Sequence, residues 1–344
     1  MSGRLAHATP VRGELLVASC RSGRALARQV VRGVEGLLSA SDHSGPVRIM
    51  EDVDFTFSDS ETGVRLEAGG EGRDVFLLQS LYNPTAEACV DRNYLALLIA
   101  ARAFREWGAA HVTALVPYLA YARQDKPTPG MIEPTTAKLL ADLSAAAGID
   151  RLITWHPHCG QIRGFYAPMP LAAPDPQELF VQEFSDYRGR EDVIAVAPDA
   201  GASKLVADFG RALGLRCAIA TKHRPSRGQA AITELIGDFA GARAAIVLDD
   251  MISSGGTVRE LVTAIAQRAT IGEIHLAASH NLCQPGALEI LRELHGRHRL
   301  VSVAVSDSIP QTPEFLALPF LAVRPLAERL SRMVHAVHCG LAVR

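Results

Sequence analysis

The chain has 344 residues, more than one small core needs, and at roughly 150 residues per domain it suggests about two domains. Hydrophobic residues make up 48% and charged residues 21%, which excludes a disordered or low-complexity chain. A formal net charge of −2 gives no basic field to draw in nucleic acid or an acidic membrane, so neither is an expected partner and any bound anion must be captured locally.

From the amino terminus, "LLVASC" at 15–20 has the small-residue ending of a lipoprotein signal. Its apolar part is about half the usual length, and Glu14 stands where that part should begin, so we set the signal aside. No apolar run reaches the ~20 residues of a membrane span, since even 95–104 carries Arg102, and a cytoplasmic location is expected. The six cysteines, from Cys20 to Cys339, show neither CxxC spacing nor a disulfide framework and read as reduced packing thiols.

Short apolar runs then alternate with longer helical patterns. The runs at 47–53, 74–80, 112–118, 151–155, 192–199, 216–221, 244–250, 274–280 and 300–307 read as strands. A helix is expected over 84–107, opened by Asn83 and Pro84, closed by Gly108, with Leu97, Ala101 and Phe104 on one face. Near-continuous apolar strands separated by helices predict parallel sheets covered on both faces, an α/β fold. The proline-rich segment 167–177 is the expected connector, dividing the chain into domains at 1–170 and 171–344.

In parallel sheets the ligand crevice forms at the carboxyl ends of strands, so the residues after each apolar run carry the chemistry. "VLDDMISSGGT" at 247–257 reads as strand, loop and helix start, with a helix expected from about Val258. Backbone N–H groups from Ser253 to Thr257, the glycines Gly255 and Gly256, and the hydroxyls of Ser253, Ser254 and Thr257 suit a dianionic phosphate. Asp249 and Asp250 would repel that phosphate but accept hydrogen bonds from the hydroxyls of an attached sugar. A solvated acidic turn before a Ser/Gly helix cap has a similar composition, and the loop by itself does not choose between making and consuming an activated sugar. Three further clusters are polar: 118–126 with Tyr118, Tyr121, Arg123, Gln124, Asp125 and Lys126; 55–66 with Phe57, Asp59 and Glu61; and 153–166 with His156 and His158. Singly, these suit a surface charge run, a hairpin turn and a structural histidine pair.

Together they resemble the ribose-phosphate diphosphokinase (PRPP synthetase) family, of the type I phosphoribosyltransferase fold. The resemblance rests on F-S-D-x-E at 57–61, "DVFLLQS" at 74–80, "PYLAYARQDK" at 117–126, "EPTTAKLLADL" at 133–143, "HCGQIRGFY" at 158–166, "APDAG" at 197–201, "KHRP" at 222–225, the loop at 249–257 and "SDSIP" at 306–310. It implies two phosphoribosyltransferase-like domains, ATP elements in the first and the sugar-phosphate loop and catalytic loop in the second. It further implies that Phe57, Asp59 and Glu61 contact adenine and ribose, and that Arg123 and Gln124 reach the nucleotide and its phosphates. His158 and Asp199 would associate with Mg²⁺, and Lys222 and Arg224, on a flexible segment after the strand at 216–221, would be the catalytic basic pair. Asp249, Asp250 and Ser253 to Thr257 would hold ribose 5-phosphate. In the family the 57–61 loop serves a neighbouring subunit, so a homo-oligomer, a dimer or higher, is implied. Alternatives are a phosphoribosyltransferase, or a non-catalytic regulatory paralogue. The chain departs from the family at His156, where Asp is usual, and at Ser253 and Ser254, where the common loop carries Asp and Thr; "ISSGGT" is closer to the archaeal branch.

Overall fold

A computed structural model describes residues 12–40, 47–226, 229–268 and 270–342, with only the backbone described at 222–226 and 229–233. The fold is α/β, with two compact units. The first takes the described residues up to Pro174 together with those from Leu326 onward, and the second runs from Asp175 to Pro325.

The first unit opens with β1 (Leu15–Ser19), α1 (Arg24–Ala40) and β2 (Arg48–Met50), followed by a hairpin of β3 (Asp54–Thr56) and β4 (Thr62–Val64). β5 (Asp74–Leu78), α2 (Val90–Glu106), β6 (His111–Val116), α3 (Thr136–Ala146), β7 (Arg151–Thr154), α4 (Ile162–Tyr166) and β8 (Leu171–Ala172) follow. Its six-stranded sheet has the order β2-β1-β5-β6-β7-β8, with every neighbouring pair parallel. All five residues of β1 and of β5 are buried, as strands covered on both faces require. β1 is absent from the expected strands, because its short run ending in Ala18, Ser19 and Cys20 has the composition of a signal-like ending as well as of a strand. α2 begins at Val90 and not at Pro84, because residues 83–85 form a turn in which Asn83 Oδ1 accepts from Thr85 N–H at 3.0 Å.

The second unit contains α5 (Gln177–Glu183), β9 (Val193–Ala197), α6 (Ser203–Leu213), β10 (Arg216–Ser226), β11 (Gln229–Ile236), β12 (Ala244–Ile252) and α7 (Gly256–Ala266). It continues with β13 (Glu273–Asn281), α8 (Pro285–Arg297), β14 (Leu300–Ser306), α9 (Pro313–Leu316) and β15 (Leu321–Arg324). The sheet order is β11-β10-β9-β12-β13-β14-β15, parallel except for the antiparallel β10–β11 edge. Its core gathers Ile194, Val196, Val247, Leu261, Leu276 and Leu291, each at most 1% exposed. Each such side chain contributes roughly 1.5–3 kcal/mol of burial.

The final helix, α10 (Ala327–His338), packs against α1 and belongs to the first compact unit. The helices approach closely at Gly33, where an added Cβ would stand 2.3 Å from Ser331 Oγ. The Ser331 hydroxyl lies within bonding distance of the carbonyls of Val30 and Ala327, at 3.0 and 2.6 Å. At the far end of α10, His338 Nδ1 lies 2.9 Å from Oδ2 of fully buried Asp74, whose carboxylate also takes both arms of the Arg12 guanidinium. All six cysteines are free thiols, with Cys20 and Cys283 buried.

Candidate active site

In the second unit, β12 carries Asp249 and Asp250 near its carboxyl end, and α7 starts at Gly256, two residues before the expected Val258. Gly255 joins them at φ +84°, and a Cβ there would stand 3.1 Å from both Ala287 Cα and Ile290 Cδ1. Only glycine meets both demands, since an L side chain is strained at that φ and the wall of α8 is already in contact. No side chain caps α7, so the first backbone N–H groups of an eleven-residue helix face the loop with their partial positive charge. Ser253 and Thr257 are half-buried, and Ser254 and Gly256 are exposed. Burial, reinforced by the negative charge of Asp250, pushes the Asp249 carboxyl well above the usual carboxylate range. The Asp250 N–H donates to Asp249 Oδ1 at 2.8 Å.

Asp199 follows β9, which neighbours β12 in the sheet with Val196 opposite Val247. That register brings Asp199, Asp249 and Asp250 to the same end of adjacent parallel strands, and the Asp199 charge adds to the upward push on Asp249. Asp199 Oδ1 accepts from the N–H groups of Gly201 and Ala202, at 2.9 and 3.3 Å, which fixes the turn into α6. The strand that leads to Lys222 and Arg224 is longer than the expected 216–221. Their backbone belongs to β10, which runs on to Ser226 and pairs with β11, with register shifts between Thr221 and Lys222 and again between His223 and Ser226. The basic pair therefore sits on an irregular hairpin edge, because 229–236 supplies a partner strand that the sequence reading did not find.

In the first unit, Arg123 and Gln124 occupy an exposed turn after β6. The turn is entered through Tyr121 at φ 65°. The Tyr121 hydroxyl donates to Asp91 of α2, and that carboxylate, with partial burial, pushes the phenol up to about 12. Gln124 N–H closes the turn on Tyr121 O at 2.9 Å, and Gln124 O accepts from Ala137 N–H at 3.2 Å at the start of α3. The His156–His158 segment follows β7 on the neighbouring strand, with His158 exposed and His156 half-buried at φ 38°. Cys159 Sγ donates to Asp125 Oδ2 at 3.2 Å, so the structure ties the two polar segments together. Phe57, Asp59 and Glu61 form the tip of the β3–β4 hairpin. Phe57 is 51% exposed and meets Phe55 edge to face with ring centres 4.8 Å apart. Asp59 Oδ1 accepts from Glu61 N–H at 3.1 Å. Ser60 at φ 75°, like Tyr121 and His156, holds non-glycine backbone in the left-handed region, where strain gathers at functional loops.

Supporting residues were missed by sequence reasoning. Met251 and Ile252 lie opposite His280 and Asn281 of β13, and Leu282 N–H bonds Ile252 O at 2.9 Å. Behind them sits a buried polar network in which His280 Nδ1 lies 2.7 Å from Ser308 Oγ and Asn281 Nδ2 donates to Gln311 Oε1 at 2.8 Å. The Ser308 hydroxyl also reaches Ser279 O at 3.1 Å. "SDSIP" thus braces the strand beside the 249–257 segment. Three consecutive polar residues ending β13, "SHN" at 279–281, were the available signal. Among the described residues, no three His, Cys, Asp or Glu side chains converge to hold a metal ion, and no helix is long and apolar enough to cross a membrane.

Two units, each with polar segments at the carboxyl ends of a largely parallel sheet, place the chain in the phosphoribosyltransferase fold class. Residues 15–148 match the family model for the N-terminal domain of ribose phosphate pyrophosphokinase. The chain is 34% identical over 289 residues to the ribose-phosphate pyrophosphokinase of Caldanaerobacter subterraneus subsp. tengcongensis, across 84% of this chain and 87% of that one. With the enzyme of that name from Rhodopirellula baltica the identity is 34% over 330 residues, 94% and 96% of the two chains. The crystal structure of phosphoribosylpyrophosphate synthetase from Mycobacterium smegmatis superposes with a TM-score of 0.80 at 27% identity, covering 94% of this chain and 98% of that one. The chain belongs to the ribose-phosphate pyrophosphokinase family.

Proposed function

We propose that the protein transfers the β,γ-diphosphoryl group of MgATP to the C1 hydroxyl of ribose 5-phosphate, giving PRPP and AMP. The observation that carries this reading is the adjacency of Asp249 and Asp250 to the uncapped N-terminus of α7, which suits a sugar and its phosphate together. The 5-phosphate would take the N–H groups and hydroxyls of Ser253, Ser254, Gly255, Gly256 and Thr257. Asp249 and Asp250 would accept from ring hydroxyls, bonds that also offset the cost of holding two carboxylates side by side.

The C1 oxygen attacks the β-phosphorus of ATP in line, the bond from that phosphorus to the oxygen bridging to the α-phosphate breaks, and AMP leaves. Phe57 can stack on adenine, Asp59 and Glu61 can accept from the nucleoside, and Arg123 with Gln124 can bond the phosphates. Lys222 and Arg224 would neutralise charge developing on the transferred group. Asp199 and His158 are the residues proposed to associate with Mg²⁺. The carboxylates of Asp199, Asp249 and Asp250 at one sheet end are hard oxygen donors, and a cation that keeps much of its water and shares substrate phosphates needs few protein ligands. When bound, Mg²⁺ would screen the phosphate charges of ATP from the attacking oxygen. The exposure of Phe57 supports use of the β3–β4 hairpin by a neighbouring subunit, and we read the enzyme as a cytoplasmic homo-oligomer.

Steady-state kinetics of Asp250→Asn tests the sugar assignment. A charge-assisted hydrogen bond to a sugar hydroxyl is worth about 1.5–3 kcal/mol, so KM for ribose 5-phosphate should rise on the order of tenfold or more with KM for ATP little changed. A rise confined to ATP would remove Asp250 from the sugar site.

A further inference from the structure

The first unit has a second basic site at the other end of its sheet. Arg151 opens β7 and Arg12 precedes β1, so both stand at the amino ends of strands, whereas the polar segments at 121–126 and 156–160 follow carboxyl ends. With Arg163 of α4 they line a cavity of about 620 Å³ whose remaining wall includes Leu171, Pro174, Val337 and Leu341. That volume lies in the range of small-molecule sites, roughly 300–1,000 Å³. Three guanidiniums and no carboxylate are among the lining residues.

The three arginines are not equally satisfied. Arg12 forks onto Asp74, with Nε and Nη2 each 3.1 Å from a carboxylate oxygen. Arg163 Nη2 donates to Ala173 O at 2.9 Å. Arg151, half-buried, makes no hydrogen bond or ion pair with a described residue, and the charges it senses are those of Arg12 and Asp74. Burial, and then the positive charge of Arg12, hold the Arg151 guanidinium below its ordinary value. A part-buried cation beside a like charge, with no partner for its five N–H donors among the described residues, is costly unless an anion arrives. Counting the cavity arginines and Asp74, three positive charges less one negative leaves two, the charge of one phosphate dianion.

We propose that this cavity binds a phosphate-bearing small molecule, its oxyanion held by Arg151 and Arg163 beside Arg12 and any organic part lying on the Leu171, Pro174 and Leu341 wall. Planar guanidiniums fork onto phosphate oxygens, and the described lining residues offer no carboxylate to a bare cation. Inorganic phosphate and a phosphate monoester share this chemistry, and the apolar wall separates them by affinity. The site uses none of the residues assigned to ATP or ribose 5-phosphate, so it stands or falls apart from the proposed reaction.

Calorimetric titration of the full chain with inorganic phosphate in one arm and uridine 5′-monophosphate in the other, each against wild type and Arg151→Ala/Arg163→Ala, tests the proposal. At least one probe should show a binding event in wild type that is weakened tenfold or more in the double variant, with an unchanged circular dichroism spectrum and thermal midpoint as the control of folding. Tighter binding of the monoester identifies an ester as occupant, and equal or weaker binding identifies free phosphate. Should the double variant not fold, the single change Arg163→Ala at its exposed position should still weaken the same event severalfold. Identical isotherms for wild type and the folded variants with both probes would overturn the proposal.

Discussion

Asp249, Gly255 and Lys222 show what single residues in the candidate site can and cannot tolerate. Asp249 is pressed by burial and by Asp250, and sugar hydroxyls are the partners that would relieve it. Gly255 admits no side chain, given its φ of +84° and the α8 atoms 3.1 Å from an added Cβ. The strand, loop and helix start at 249–257 were legible because paired carboxylates, hydroxyls and glycines after an apolar run mark the end of a strand. The polar brace from His280, Asn281 and Ser308 was not legible, because buried serines and amides look alike in sequence until their partners are known. For Lys222, placed on β10, a role confined to the transition state predicts that Lys222→Ala lowers kcat on the order of a hundredfold while ATP affinity changes by less than about threefold. Equal losses in kcat and ATP affinity, by steady-state kinetics and direct nucleotide titration, would assign Lys222 to ground-state binding.

At the scale of elements, the long apolar strands were readable and the edges were not. β5, β9 and β12 announce themselves because burial on both faces demands continuous apolar sequence. β11 contains "QAAITELI", whose mixed pattern specifies nothing until β10 lies beside it, so the hairpin partner of β10 was not expected. β13 adds a stability test. His275 lies within 2.8 Å of both Tyr187 Oη and Ser302 Oγ, and burial lowers its pKa from the ordinary 6.5 despite the opposing pull of Glu273. A histidine depressed in the folded state binds fewer protons there than in the unfolded chain, so its contribution is full above 6.5 and is lost as pH falls through the lowered value. Chemical denaturation from about pH 7 to about pH 5 should therefore show a steeper loss of stability in wild type than in His275→Gln. Parallel pH slopes would show that His275 is not the group being titrated.

For the whole molecule, the proline-rich segment 167–177 contains the division between the units at Pro174 and Asp175, while the return of α10 to the first unit left no mark in the sequence. An amphipathic helix declares an apolar face and not which core will cover it, and neither Gly33 opposite Ser331 nor Asp74 beside His338 can be paired without coordinates. Family membership rests on relatives aligned along most of both chains, and the departures at His156, Ser253 and Ser254 fall inside the very segments assigned to metal and sugar phosphate. The question these departures pose is chemical, whether the segments still make PRPP. Phosphorus NMR of the purified full chain with MgATP and ribose 5-phosphate measures it directly. AMP and a diphosphoryl ester at C1 should appear in equal amounts, only when both substrates are present. Folded protein that yields neither product, with or without added inorganic phosphate, would contradict it.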